Sequence, residues 1–118
     1  MNSEIVTQDY TLRYIEEEKK IAVRGNLRLA SVEKYDEIIE FILFHTMAEE
    51  SSIILDLTKL ETLNSSGIAA LGMFIIKMKE KDRFIKITGS RYISWQVISL
   101  ENFKDIHRKI EIEFVVQH

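Results

Sequence analysis

Ile53-Ile54-Leu55-Asp56-Leu57-Thr58-Lys59-Leu60-Glu61-Thr62-Leu63-Asn64-Ser65-Ser66-Gly67-Ile68-Ala69-Ala70-Leu71 begins as a strand and ends as a helix. Its first five residues form a short apolar run with one acid, a pattern that suits a strand covered on both faces. Asn64 has the side chain of a helix N-cap, because its oxygen can accept from first-turn N–H groups that have no carbonyl partner of their own. A helix is expected from about Ser66 to Lys81. Along it Ile68, Leu71, Ile75 and Met78 recur at helical spacing and should face a sheet, whereas Ala69, Met73 and Ile76 lie away from that line. Gly72 permits close backbone approach.

Downstream, Phe84-Ile85-Lys86-Ile87-Thr88 reads as a further strand, ended by Gly89. With the strand at 53 and the helix between, it forms a βαβ unit, which requires a right-handed crossover and a parallel pair. Residues 93–102 suit a short helix, with Ile93, Val97, Ile98 and Leu100 apolar, and Ile110 to Val116 the last strand. Upstream, residues 5–15 alternate weakly and read as one or two strands. Glu16-Glu17-Glu18-Lys19-Lys20 is a solvated hairpin turn, and Ile21 and Val23 belong to a strand that stops at Gly25. A helix is expected over 31–48, with Ser31 as N-cap and Glu33 supplying negative charge to the first turn. Val32, Tyr35, Ile38, Ile39, Ile42 and Met47 form its apolar stripe, widened by Phe41 and Phe44. The fold class that follows is α/β, a mixed β-sheet with helices packed on it, in one domain spanning 1–118. Sites in such sheets gather beyond the carboxyl ends of the strands.

The 118 residues include no cysteine and no proline. Disulfides, thiolate chemistry and thiol-based zinc sites are thereby excluded. Sixteen basic against 19 acidic residues give a net charge of −3, which argues against a nucleic-acid binder. The N-terminus lacks the basic start and apolar run of a secretory signal. The longest apolar run, Ile68 to Ile76, is too short to span a bilayer. A soluble cytoplasmic protein is expected.

Chemistry-bearing residues are scattered. Gly67 and Gly72 have phosphate-loop spacing, but no Lys-Ser or Lys-Thr follows. His45, His107 and His118 lack metal-ligand neighbours and read as surface or partly packed residues. Asp56 suits a strand-end acid that hydrogen-bonds a loop, and Trp95 a core anchor. Arg91, just after Gly89, is a candidate phosphate or partner contact, a solvated loop arginine being the plainer reading. No convergent acid, base and nucleophile set stands out, so neither an enzyme nor a cofactor is expected.

Two segments resemble a known family. The quoted run is similar to the STAS core pattern: a buried strand ending in Leu-Asp-Leu, a loop, then Asp-Ser-Ser-Gly opening a helix. Gly25-Asn26-Leu27-Arg28-Leu29-Ala30-Ser31 is similar to that family's loop before its first helix. The order of elements agrees along nearly the whole chain, and the match is to anti-sigma-factor antagonists in particular. The resemblance implies a STAS-like fold and a partner switch in which Ser65 accepts phosphate from a serine kinase or anti-sigma factor. A cognate phosphatase would remove it, and the domain itself would not be the catalyst. Asn64 replaces the family's usual acid before the serines, and Arg28 the acid often found in the earlier loop.

A phosphate on Ser65 would meet the free amides of the first turn and the positive end of the helix dipole. That term is about 0.3–1 kcal/mol for an exposed charge, so modification should act on binding rather than on folding. The partner surface expected around Ser65 comprises Asn26, Arg28, Ala69, Met73, Ile76 and Arg91, with Asn64, Ser66 and Gly67 forming the helix start. Two other readings stay open: a constitutive interaction or scaffold module without phosphorylation, and a small-ligand sensor using the sheet edge.

Overall fold

The computed structural model describes residues 2–116; His118 lies outside them. Strand β1 (Glu4–Val6) and β2 (Tyr10–Ile15) are joined by a tight reversal. There the Thr7 hydroxyl donates to the Tyr10 carbonyl at 2.8 Å and accepts from its N–H at 2.9 Å. The acidic run Glu16–Glu18 makes one 3-10 turn, and Lys19, at φ 50°, turns the chain into β3 (Lys20–Leu27). There follow α1 (Asp36–Ala48), β4 (Ile53–Leu63), α2 (Ser65–Glu80), β5 (Ile85–Ser90), α3 (Ser94–Phe103) and β6 (Ile110–Val115).

The six strands lie in sequential order. β1, β2 and β3 pair antiparallel, and β3 to β6 pair parallel. Each parallel step carries one helix. Right-handed crossovers that always step the same way put all three helices on one side of the sheet. The expectation that Ile53–Leu57 is covered on both faces is therefore corrected: Ile53, Leu55 and Leu57 are buried beneath the helices, while Ile54 and Asp56 alternate with them on the open face and are half-buried. Asp56 lies within the strand and not at its end. It accepts from the Thr58 N–H at 2.9 Å, the Thr58 hydroxyl at 2.7 Å and the Thr88 hydroxyl at 3.3 Å. These bonds give a half-buried carboxylate its partners.

The core between sheet and helices is filled by Leu12, Ile21, Leu55, Tyr35, Phe41, Phe74, Ile75 and Met78 among others. Phe74, unremarked in the helical stripe, is fully buried beside Leu71 and Ile75. Phe44, expected in the stripe of the first helix, is instead 46% exposed. It follows the half-buried Leu43 on the outer side of the helix. The first helical turn, Val32–Tyr35, is 3-10, and the α-helix begins only at Asp36. Ser31 makes no side-chain bond to the backbone there. It bonds the Glu33 carboxylate, which, with that residue's own N–H as the larger cause, holds Glu33 below its usual pKa.

β3 does not stop at Gly25. The strand runs on to Leu27 because Gly25 adopts φ +99° at an irregularity in the β3–β4 pairing. A Cβ there would lie 2.3 Å from the Asp9 carbonyl oxygen. β5 likewise continues past Gly89 to Ser90, whose N–H the buried Gln96 side chain accepts at 2.8 Å. His45 and His107 are both buried rather than at the surface. His45 stacks on Tyr14 and its Nε2 is 3.0 Å from the Asn2 carbonyl oxygen; His107 Nε2 is 2.7 Å from that of Arg83. Among the described residues no helix is long and apolar enough to cross a membrane.

Candidate partner-binding site at the start of α2

β4 outruns β5, with which it pairs only through Asp56 and Thr88. Its last residues, Leu57–Leu63, are held otherwise. On one side β3 pairs with them, Asn26 opposite Thr62 and Leu27 opposite Leu63. On the other, Gln96 Nε2 donates to the Leu57 and Leu60 carbonyls at 2.6 and 2.9 Å, and the Trp95 indole N–H donates to the Glu61 carbonyl at 3.0 Å. Trp95 is thus half-buried, anchored by its polar atom as well as its ring. The overhang carries the start of α2 beyond the carboxyl end of the sheet.

Asn64 fixes that start. Its Oδ1 accepts from the Gly67 N–H at 3.0 Å, as an N-cap should, and from the Tyr35 hydroxyl at 2.5 Å. Its Nδ2 donates to the Leu29 carbonyl at 2.8 Å, and its backbone N–H to the Leu27 carbonyl at 3.2 Å. Tyr35 completes the knot by accepting the Leu29 N–H at 3.2 Å. The Tyr35 ring is buried, and its burial is the first cause of a hydroxyl pKa above the ordinary value. It therefore stays a donor to Asn64 across the physiological range. Arg28 sits exposed between the two residues, Leu27 and Leu29, that Asn64 grips.

Gly67 is required by contact. A Cβ would lie 2.3 Å from Leu63 Cδ1 and 2.8 Å from the Tyr35 hydroxyl. With Gly67 buried and its amide taken by the cap, the amides of Ser65 and Ser66 are the first-turn donors left facing outward. Ser65 is exposed and Ser66 half-buried. From Ser65 a line runs down the outer face of α2 through Ala69, Met73 and Ile76, spaced four, eight and eleven residues on. Met73 is 52% and Ile76 45% exposed, and α1 covers neither.

Sequence-expected residues fall into two groups. Asn64, Ser65, Ser66 and Gly67 form one helix start, Ala69, Met73 and Ile76 its exposed outer face, and nearby Asn26 lies near the end of β3 with Arg28 just past it. Asn26 is inward-tied, its Oδ1 accepting from the Thr62 hydroxyl at 2.7 Å. Arg91 stands apart: its guanidinium lies 5.8 Å over the Phe114 ring of β6, two strands from β4. Tyr35, Leu29 and Gln96 were not singled out as site-forming. Gln96 carried a usable signal, since it shares the buried face of α3 with Leu100 and Phe103 at helical spacing. No group of three or more His, Asp or Glu residues among those described could hold a metal.

The sequential sheet, the one-sided helix layer and the serine-led second helix define a STAS-like α/β fold. No family model and no curated protein matches the chain. Solved structures do. One is a chain of the crystal structure of diguanylate cyclase SiaD in complex with its activator SiaC from Pseudomonas aeruginosa, at TM-score 0.70 and 16% identity over 97% of this chain and 100% of that one. A structure of SiaC from Pseudomonas aeruginosa matches at TM-score 0.64 and 18% identity over 96% and 93% of the two chains. Its apo form matches at TM-score 0.66 and 18% identity over 98% and 100%. At such identities the likeness establishes the fold.

Proposed function

We propose that this chain is a non-catalytic signalling regulator that binds a partner protein, with Ser65 as a phosphoacceptor that sets which state binds. The observation that carries the reading is the exposed Ser65 hydroxyl at the head of an exposed apolar strip, on a helix start locked from beneath by Asn64, Tyr35 and Gly67. A kinase can reach such a hydroxyl, and a dianion there would change the charge of the adjoining surface without touching the core. Arg28 and the outer face of α2 supply the rest of the contact. The partner is a serine kinase or anti-sigma-type regulator, or an enzyme under control. SiaC, whose structures resemble this one, is named as the activator of a diguanylate cyclase, so a cyclase is a first candidate to test. Intact-mass measurement of the chain from its native cells tests the switch. One added phosphate, absent in Ser65→Ala, is expected; no modification under any growth condition would contradict it.

A second reading, a constitutive docking module, draws on Asn64. Its amide is consumed by the clamp, so no carboxylate stands before Ser65. On that reading Ser65→Ala and Ser65→Glu bind the partner equally.

A further inference from the structure

α1 and α2 run side by side over the same face of the sheet, and the seam between them is open. Its floor is apolar: Val32, Ile39 and Leu43 on the α1 side, Ala70 and Met73 on the α2 side. On the α1 side the trough reaches from Val32 to Leu43; beyond it Phe44 and Met47 add a flat apolar patch on α1 alone. Ala70 keeps the floor low where a longer side chain would fill it.

The two rims differ in charge. On the α1 side stand Asp36 and Glu40, and α1 contains no lysine or arginine. None of the ion pairs among the described residues involves these two acids. The α2 rim carries Lys77. An acidic rim along an apolar trough attracts a cation-bearing apolar ligand and repels an acidic one.

We propose that this trough receives one amphipathic helix of the partner, with lysine or arginine on the flank that lies along α1. The apolar floor between two helical walls matches helix-in-groove recognition. A strand is disfavoured, because both walls are helices whose backbone groups are already paired, leaving no sheet edge to extend. The inference rests on the reading of the chain as a partner-binding module and gives that partner a chemistry. It also moves the main contact from the crest of α2 to its α1 side, with Met73 shared by both.

Two synthetic peptides about as long as α1 test it, both with leucine at i, i+3, i+4 and i+7, one flanked by lysines and the other by glutamates. They are titrated against the whole chain and followed by backbone-amide NMR. The lysine peptide should shift amides around Ile39, Leu43 and Met73 and bind at least about tenfold more tightly than the glutamate peptide, an advantage that shrinks with added salt. Glu40→Lys, an exposed change that leaves the core alone, should erase or invert the preference; Leu43→Glu should abolish binding. Equal affinities, no binding by either peptide, or shifts on the open sheet face would overturn the proposal. The experiment contains no kinase, phosphate or native partner, so its failure would leave the Ser65 switch standing, and failure of the switch would leave the trough standing.

Discussion

The Asn64 side-chain amide donates to the Leu29 carbonyl at 2.8 Å while its oxygen caps α2. One residue thereby joins the loop before α1 to the helix start that carries Ser65. A carboxylate could make the cap but not the donation. At this position the amide is a structural requirement of this chain and not a neutral stand-in for an acid.

Asn64→Asp should accordingly destabilise the fold by about 1–3 kcal/mol, because an anionic oxygen would face the Leu29 carbonyl and leave it unsatisfied. Urea denaturation read by circular dichroism checks this. An unchanged or raised midpoint would show that the Leu29 bond contributes nothing.

Gly67→Ala should cost about 1–3 kcal/mol by overpacking, since the new methyl meets Leu63 and the Tyr35 hydroxyl at distances no real contact adopts. Thermal unfolding measures it. A Tyr35→Phe, Gly67→Ala double variant should lose less than the sum of the single changes, because the two share one contact.

These two residues also mark how far the sequence could be read. Asn64 as a cap, and α2 after it, were legible because capping is local: acceptor and donor lie three residues apart. The reason for Gly67 was not, since Tyr35 stands 32 residues earlier and reaches it only after the β3–β4 pairing has formed. The full length of β4 was hidden for the same reason. Thr58 to Leu63 alternate poorly as a strand, and what holds them is β3 on one side and, on the other, Gln96 and Trp95 from more than 30 residues downstream. The one-sided cover of the sheet is a property of strand order, which local periodicity does not encode. Residues near Ser65 were recognisable as a helix start; that Arg91, just after β5, lies over Phe114 of β6 followed only from the topology.

Met73→Lys should leave stability within about 0.5 kcal/mol of the parent, as an exposed change distant from caps and core, yet weaken partner binding. Parallel thermal melts and affinity titrations separate the two effects. Full-strength binding by the variant would remove this face of α2 from the interface.

The hairpin end of the sheet gives a pH signature. Tyr14 donates to Glu49, which also pairs with Lys19 at 2.9 Å. Burial first, and then the bond to Glu49, push the Tyr14 hydroxyl up to about 12; the bonds from Tyr14 and Lys19 hold Glu49 below its usual value. For Tyr14 the folded state keeps its proton longer than the unfolded one, so its stabilisation is full below pH 10.0 and fades as pH climbs towards 12. For Glu49 the folded state releases its proton sooner, so its stabilisation is full above pH 4.5 and is lost as pH falls below that. Glu49→Gln should flatten the acid limb of the stability profile and lower the Tyr14 pKa in an ultraviolet phenolate titration. An unmoved Tyr14 titration would break the link between the two groups.

The central claim is tested most directly by installing phosphoserine at position 65 during synthesis and titrating modified and unmodified chains against the same purified partner. The account predicts affinities that differ at least about tenfold, or 1.4 kcal/mol, with nearly identical melting temperatures. Equal affinity of the two forms would contradict it and leave a docking module without a switch.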